Sequence, residues 1–169
     1  MTTSEKIRPT EPLALRRLQT DTLLELSRCL TSQDAHVRNR LEQAGLTGIT
    51  AQQSRVLLIL FQARTPLTAR ELARRMGVSE VTMSRFVQAL QRENWISRSQ
   101  NPEDGRSLLL APTKKARKSF PGFVAVSNEV LDTLFTGFSD NDMWSFHELV
   151  GRIRTNLEAR TSKPDIDKL

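Results

Sequence analysis

The sequence predicts a mainly α-helical fold carrying one two-stranded β-hairpin. Three observations support that prediction. Apolar residues recur at helical spacing along most of the chain. There are only 7 glycines and 7 prolines among 169 residues, and almost all the prolines sit near apparent segment boundaries. One pair of short extended runs flanks an Asp-Gly turn. A chain of this length can form one compact module with helical extensions and bury a core without staples.

Residues 1–12 are polar, contain two prolines and read as a flexible tail. From Leu13 to about Gly45 a single long helix is expected, with Leu23, Leu26, Leu30, Val37 and Leu41 on one stripe and Gly45 and Gly48 marking its stop. Thr50-Ala51-Gln52-Gln53 is a capping box, hydroxyl to one free amide and glutamine back to another. The helix it opens runs to about Ala63 and turns Val56, Leu57, Leu60 and Ala63 inward, before Pro66 interrupts. Thr68-Ala69-Arg70-Glu71 is a second capping box. It opens a short helix that buries Leu72 and Met76 and ends at Gly77, a residue suited to positive φ. Ser79 caps the next helix, about Glu80 to Glu93. Met83, Phe86, Val87 and Leu90 lie on its inner face, Val81, Thr82, Arg85 and Gln88 on its outer one. Asn94 stands at its end, where left-handed geometry is needed.

The runs Trp95 to Ser99 and Arg106 to Leu110 enclose Asn101-Pro102-Glu103-Asp104-Gly105, a hairpin pattern and the only β signal in the chain. Residues 113–135 return to helix, which Phe120-Pro121-Gly122 should kink or split. Ser139 to Asp142 caps a last helix. On it Met143, Phe146, Val150, Ile153 and Leu157 alternate steps of three and four, a coiled-coil-like seam. The predicted organisation is a tail over 1–12, a dimerisation helix over 13–46, a helix-turn-helix domain with its hairpin over 47–118, dimerisation helices over 119–160 and a tail over 161–169.

Charge is unevenly spread. The chain carries a net +6 with a pI near 10.2. Between Thr50 and Phe120 thirteen Lys and Arg face five Asp and Glu, an excess of eight, which leaves the rest of the chain at −2. Concentrated positive charge over the helix-turn-helix is the footprint expected of phosphate binding. The helix from Glu80 can lie in a major groove, its outer face offering hydroxyls, an amide and a guanidinium. Arg85 can take guanine O6 and N7 or hold a phosphate, Val81 suits a thymine methyl, and Thr82 and Gln88 are candidate base readers. Thr68 and Ser79 sit at helix starts, where free amides can donate to phosphates, and Arg70 adds charge nearby. On the hairpin, Arg98 and Arg106 are candidate contacts. Arg106 follows the Asp104-Gly105 turn at the tip, where a narrow minor groove favours arginine, and Asp104 is expected to orient it or another wing arginine.

Leu67 to Ala116 resembles the MarR family of bacterial regulators. The matching residues are Leu67-Thr68-Ala69-Arg70-Glu71-Leu72-Ala73, Gly77-Val78-Ser79, Arg85-Phe86-Val87 with Leu90, and the wing pattern Asp104-Gly105-Arg106 followed by Leu108, Leu110 and Thr113. The sequence departs from the family at Asn94, where a glycine is usual, at Gly105, where a second arginine is common, and at Pro112 to Ala116. The resemblance implies a winged helix-turn-helix homodimer held by its terminal helices. It also implies a double-stranded, pseudo-palindromic operator, a repressor's role, and a small aromatic or anionic effector that biases the spacing of the two lobes.

Other readings stay open at this stage. A winged-helix adaptor without DNA binding would show an uncharged or acidic recognition face. Arg70, Arg74, Arg75 and Arg85 argue against that, tempered by Glu80. Redox regulation through Cys29, the only cysteine, needs an accessible thiol with a lowered pKa. Arg28 is adjacent but points away on a helix, and the chain has no tyrosine to hold an oxidised form. A cysteine buried in a dimer helix is the favoured reading. His36, with Arg38 and Arg40, is the candidate for an effector pocket. His36 and His147 on separate helices make a poor metal pair, so neither a metal nor a cofactor is expected. No phosphate loop or nucleophile–base arrangement suggests an enzyme. With no apolar signal core and no run long enough to span a bilayer, the expected compartment is the cytoplasm.

Overall fold

The computed structural model describes residues 12–161. Of the two predicted tails, residues 1–11 and 162–169 lie outside the described residues, while Pro12 and Thr161 are end residues of helices. In chain order the elements are α1 (Pro12–Gln43), α2 (Ala51–Gln62), β1 (Leu67–Thr68), α3 (Ala69–Met76), α4 (Glu80–Arg92), β2 (Ile96–Gln100), β3 (Leu108–Pro112), α5 (Lys114–Leu134) and α6 (Asp140–Thr161). They form two compact units, one running through Val130 and the other beginning at Leu131.

The core of the first unit is built by the inward faces of α2, α3 and α4. Val56, Leu57, Leu72, Met83 and Leu90 are buried there, with Ile96 and Leu110 closing it from the sheet side. Both capping boxes form. The Thr50 hydroxyl accepts from the Gln53 amide while the Gln53 side chain takes the Thr50 amide, and Thr68 and Glu71 repeat the pattern. Gly77 ends α3 in the left-handed region at φ 65°. Asn94, at φ 57°, is the one non-glycine among the described residues with positive φ, and it ends the turn after α4.

The sheet has three strands, ordered β1-β3-β2 and antiparallel throughout, where the sequence predicts only a hairpin. The extra strand is two residues long, with Leu67 opposite Leu110 and Thr68 opposite Leu109. Two residues are too few to show an alternating pattern, and their partner lies more than forty positions away. Within the hairpin Ile96 faces Pro112 and Gln100 faces Leu108.

The predicted interruption at Pro121 does not divide the helix: α5 runs unbroken past it. Proline removes one backbone donor there, at a cost of about 3 kcal/mol in a helix interior, but the residues on either side are anchored. Ala116 and Phe123 are buried. The Phe61 ring lies 4.6 Å from that of Phe120 and 6.2 Å from that of Phe123, and Trp95 meets Phe123 edge-on at 5.5 Å.

The α1 stripe is divided in use. Leu41 is buried and Val37 packs against the core, whereas Leu23 and Leu30 are exposed. A polar triangle fastens this helix to α2. Asp34 accepts from the Arg55 guanidinium and from the Gln52 amide, each at 2.8 Å, and Arg55 also donates to Gln52 at 3.3 Å.

In the second unit Ser139 and Asp142 cap α6. The Asp142 carboxylate accepts from the Ser139 hydroxyl at 2.6 Å and from its amide at 3.0 Å, which holds that carboxyl below its ordinary pKa. Phe135 packs against both Phe138 and Phe146. Trp144, Leu149 and Ile153 are exposed along α6. No helix among the described residues is long and apolar enough to cross a membrane.

Candidate nucleic-acid interface

The start of α3, one side of α4 and the hairpin enclose an open groove of about 610 Å³. Five of the sequence-predicted residues line it: Thr68, Arg70, Arg98, Asp104 and Arg106. The helical twist sets Val81, Arg85 and Gln88 beside the groove-lining face of Glu80 and Ser84. All three are exposed, Val81 to 65 %.

Local hydrogen bonds fix how these groups are presented. The Ser79 hydroxyl accepts from the Thr82 amide at 3.1 Å and shares a bond with the Thr82 hydroxyl at 2.9 Å. Thr82 is therefore half-buried and engaged, less available than its outer-face position suggests. At the start of α3 the chain's own carboxylate occupies the expected anion position. Glu71 accepts from the Thr68 amide at 2.7 Å and from its hydroxyl at 2.8 Å. Those bonds to the backbone and side chain of Thr68 lower the Glu71 pKa against the opposing effect of burial, and Arg74 and Arg75 add a lesser pull downward.

The hairpin tip is held by its own polar groups. Asp104 accepts through its carboxylate from the Arg106 backbone amide at 3.0 Å, and through its carbonyl from the Ser107 amide at 2.9 Å. Asp104, expected to orient a wing arginine, meets the backbone amide of Arg106 and not a guanidinium, because a short side chain two residues back reaches an amide more readily than the end of a long one. Gln100 closes the tip from the strand side by donating to the Gly105 carbonyl at 3.2 Å. Arg85, Arg98 and Arg106 are exposed, with no ion pair or side-chain hydrogen bond among the described residues. Arg70 differs: its Nε meets Glu80 Oε1 at 3.0 Å.

The base of the wing is tied to α5. Thr113 donates from its hydroxyl to the Asn94 carbonyl at 2.8 Å and from its amide to the Trp95 carbonyl at 3.1 Å. Lys115 donates to the Glu93 carbonyl at 2.8 Å and lies 4.1 Å over the buried Trp95 ring.

The other predicted sites fall elsewhere. Arg40 is engaged by Gln43 at 3.1 Å and by Glu129 of α5 at 3.5 Å, and His36 is half-buried one helical turn away. Cys29 is exposed on α1 rather than buried within this chain. The neighbouring Arg28 pairs with Glu25 at 2.6 Å, so its charge is directed away from the thiol. No group of three or more His, Cys, Asp or Glu suited to a metal occurs among the described residues. Sequence reasoning overlooked Ser84, Asn101 and Ser107 in the groove lining. Ser84 could have been found from its place one turn after Glu80. The other two come from a loop whose shape depends on their mutual bond, 2.9 Å from the Asn101 amide to the Ser107 hydroxyl.

A short helix, a left-handed glycine turn, a second helix with a cationic free face and an arginine-bearing hairpin define a winged helix-turn-helix protein. Residues 49–108, from the end of the α1–α2 connection to the first residue of β3, match the MarR family. That match covers 60 of the chain's 169 residues. The chain is 24% identical over 111 residues to the HTH-type transcriptional repressor YetL of Bacillus subtilis, a match spanning 65% of this chain and 66% of YetL, or about two thirds of that relative's length. The fold is similar to that of a MarR transcriptional regulator from Methanosarcina mazei, with a TM-score of 0.71 at 20% identity over 83% of this chain and 99% of that one. It is also similar to Staphylococcus aureus MepR in a crystal structure of its DNA complex, with a TM-score of 0.69 at 21% identity over 78% and 96% of the two chains.

Proposed function

We propose that this chain is a transcriptional regulator that binds double-stranded DNA sequence-specifically through the α4 face and the wing. The observation that carries this reading is the set of three exposed, unengaged guanidiniums, Arg85, Arg98 and Arg106, beside or within one open groove. Guanidiniums left free of carboxylate partners suit phosphates and guanine edges, and α4 offers Val81 and Gln88 between them for base contact. The same cations speak against a protein-docking adaptor with an uncharged face.

The active form is a homodimer. Exposed leucines along α1 and the exposed Leu149 and Ile153 of α6 are surfaces that a partner copy would bury. Two-fold symmetry then sets half-sites about one helical turn of DNA apart, on a pseudo-palindrome, with repression as the outcome when that site overlaps a promoter. An anionic effector near His36 would compete with Glu129 for Arg40, so its binding would loosen a tie between α1 and α5. No catalytic step belongs to this reading.

Selection of duplexes from a random pool by the full-length protein at low salt tests it. The expected result is a two-fold symmetric consensus, with Arg85→Ala lowering affinity for it at least tenfold. Failure of the parent to enrich any duplex would overturn the reading.

A further inference from the structure

Glu80 is out of place on a surface meant for a polyanion. It is the first residue of α4, it lines the groove, and its side chain is 65% exposed. Asp104, the other carboxylate of that lining, is engaged by the Arg106 amide at the hairpin tip. Glu80 has one oxygen held: Oε1 takes the Nε–H of Arg70 at 3.0 Å, and Oε2 accepts nothing among the described residues. The Arg70 bond joins α3 to α4 and steers the carboxylate toward the groove, while the two terminal nitrogens of Arg70 keep their own donors.

A phosphate opposite Glu80 would be repelled, so DNA closing on this face must offer that carboxylate a donor. The first turn of a helix lying in the major groove reaches base edges, and the donors there are the amino groups of cytosine and adenine. Adenine sets its N7 acceptor beside the amino group, which faces the second carboxylate oxygen with a lone pair. Cytosine offers the amino group without a neighbouring acceptor.

We propose that Glu80, steadied by Arg70, is a base-specificity residue that accepts from the N4 amino group of one cytosine in each half-site. The proposal rests on the DNA-binding reading above and adds to it the residue that penalises a wrong base. Replacing the carboxylate by an amide restores a donor beside the acceptor, the arrangement that pairs with adenine N6 and N7, so Glu80→Gln shifts the preferred base from cytosine to adenine.

Random-pool selection with the full-length parent, Glu80→Gln and Glu80→Ala decides it. The parent enriches cytosine at one symmetric position. Glu80→Gln moves that column to adenine, and Glu80→Ala flattens it while the remaining consensus persists. Changing the cytosine to thymine in the selected duplex weakens the parent roughly tenfold and leaves Glu80→Ala nearly unaffected. Because Glu80 is exposed, both variants keep the parent's fold, which circular dichroism checks. An identical base profile for all three proteins overturns the assignment of Glu80 and leaves the DNA-binding reading intact. A parent that enriches nothing overturns both.

Discussion

Arg106→Ala offers the most quantitative test of the interface. The substitution removes one guanidinium from the wing tip and leaves the tip's shape alone. Asp104 holds the backbone amide of residue 106, not its side chain, and Ser107 and Gln100 brace the same turn through backbone carbonyls. Arg85, Arg98 and Arg106 are free to neutralise phosphate, three per lobe and six per dimer. Arg70 is left out of the count because Glu80 already balances it. Six neutralised phosphates give a slope of log affinity against log salt of about −5, so a fourfold rise in salt costs about three orders of magnitude. Losing two of the six reduces the slope to about −4 and the loss over the same range to about two orders. Fluorescence anisotropy of a labelled operator at four or five salt concentrations measures both lines, which converge as salt rises. Arg106→Lys keeps the charge and therefore the slope, but loses the planar fork suited to a narrow minor groove. Parallel lines for parent and Arg106→Ala would refute the reasoning, since damage to the fold moves the line without changing its slope.

Two further predictions concern the scaffold. Glu71→Gln should cost up to about 1 kcal/mol at neutral pH: the amide keeps the capping-box geometry that Gln53 has in α2, but the negative charge at the helix start and the charge-assisted bond to the Thr68 amide are lost. The Glu71 carboxyl titrates below its ordinary range, so its contribution is intact above the unfolded-state pKa and is lost as pH falls through the lowered value. Urea denaturation of parent and variant at several pH values should show the gap closing only in acid, and a gap that widened there would reverse the sign. Asp34→Ala and Arg55→Ala should each destabilise the first unit, with a coupling of about 0.5–1 kcal/mol in a double-mutant cycle, because the pair is only partly buried. Strict additivity would mean that the triangle does not fasten α1 to α2.

What was legible in the sequence was local. The capping boxes at Thr50 and Thr68 need only a hydroxyl and a partner three residues on, and the left-handed positions at Gly77 and Asn94 are set by residue type and place in the chain. The inner face of α4 followed from period alone. The missing parts each depend on a distant partner. β1 exists because Leu110 presents a strand edge to Leu67, and α5 survives Pro121 because Phe61 and Trp95 pack around its neighbours. In the site, the outer face of α4 and the wing arginines could be read from spacing, whereas the engagement of Arg70 by Glu80, ten residues away, could not. Thr82 looked available by position and is spent on Ser79. The leucine stripe of α1 is continuous in the sequence, yet only its C-terminal part reaches the core of this chain.

The chain contains no tyrosine and only two tryptophans, one in each compact unit. Trp95, 2% exposed against Phe123 and Lys115, emits from a dry setting that iodide cannot reach. Trp144, 72% exposed on α6, emits at longer wavelength and is quenched readily. Intrinsic fluorescence therefore carries two separable colours with no label added, and a thermal melt followed in both counts the cooperative transitions: one if the colours change together, two if they part.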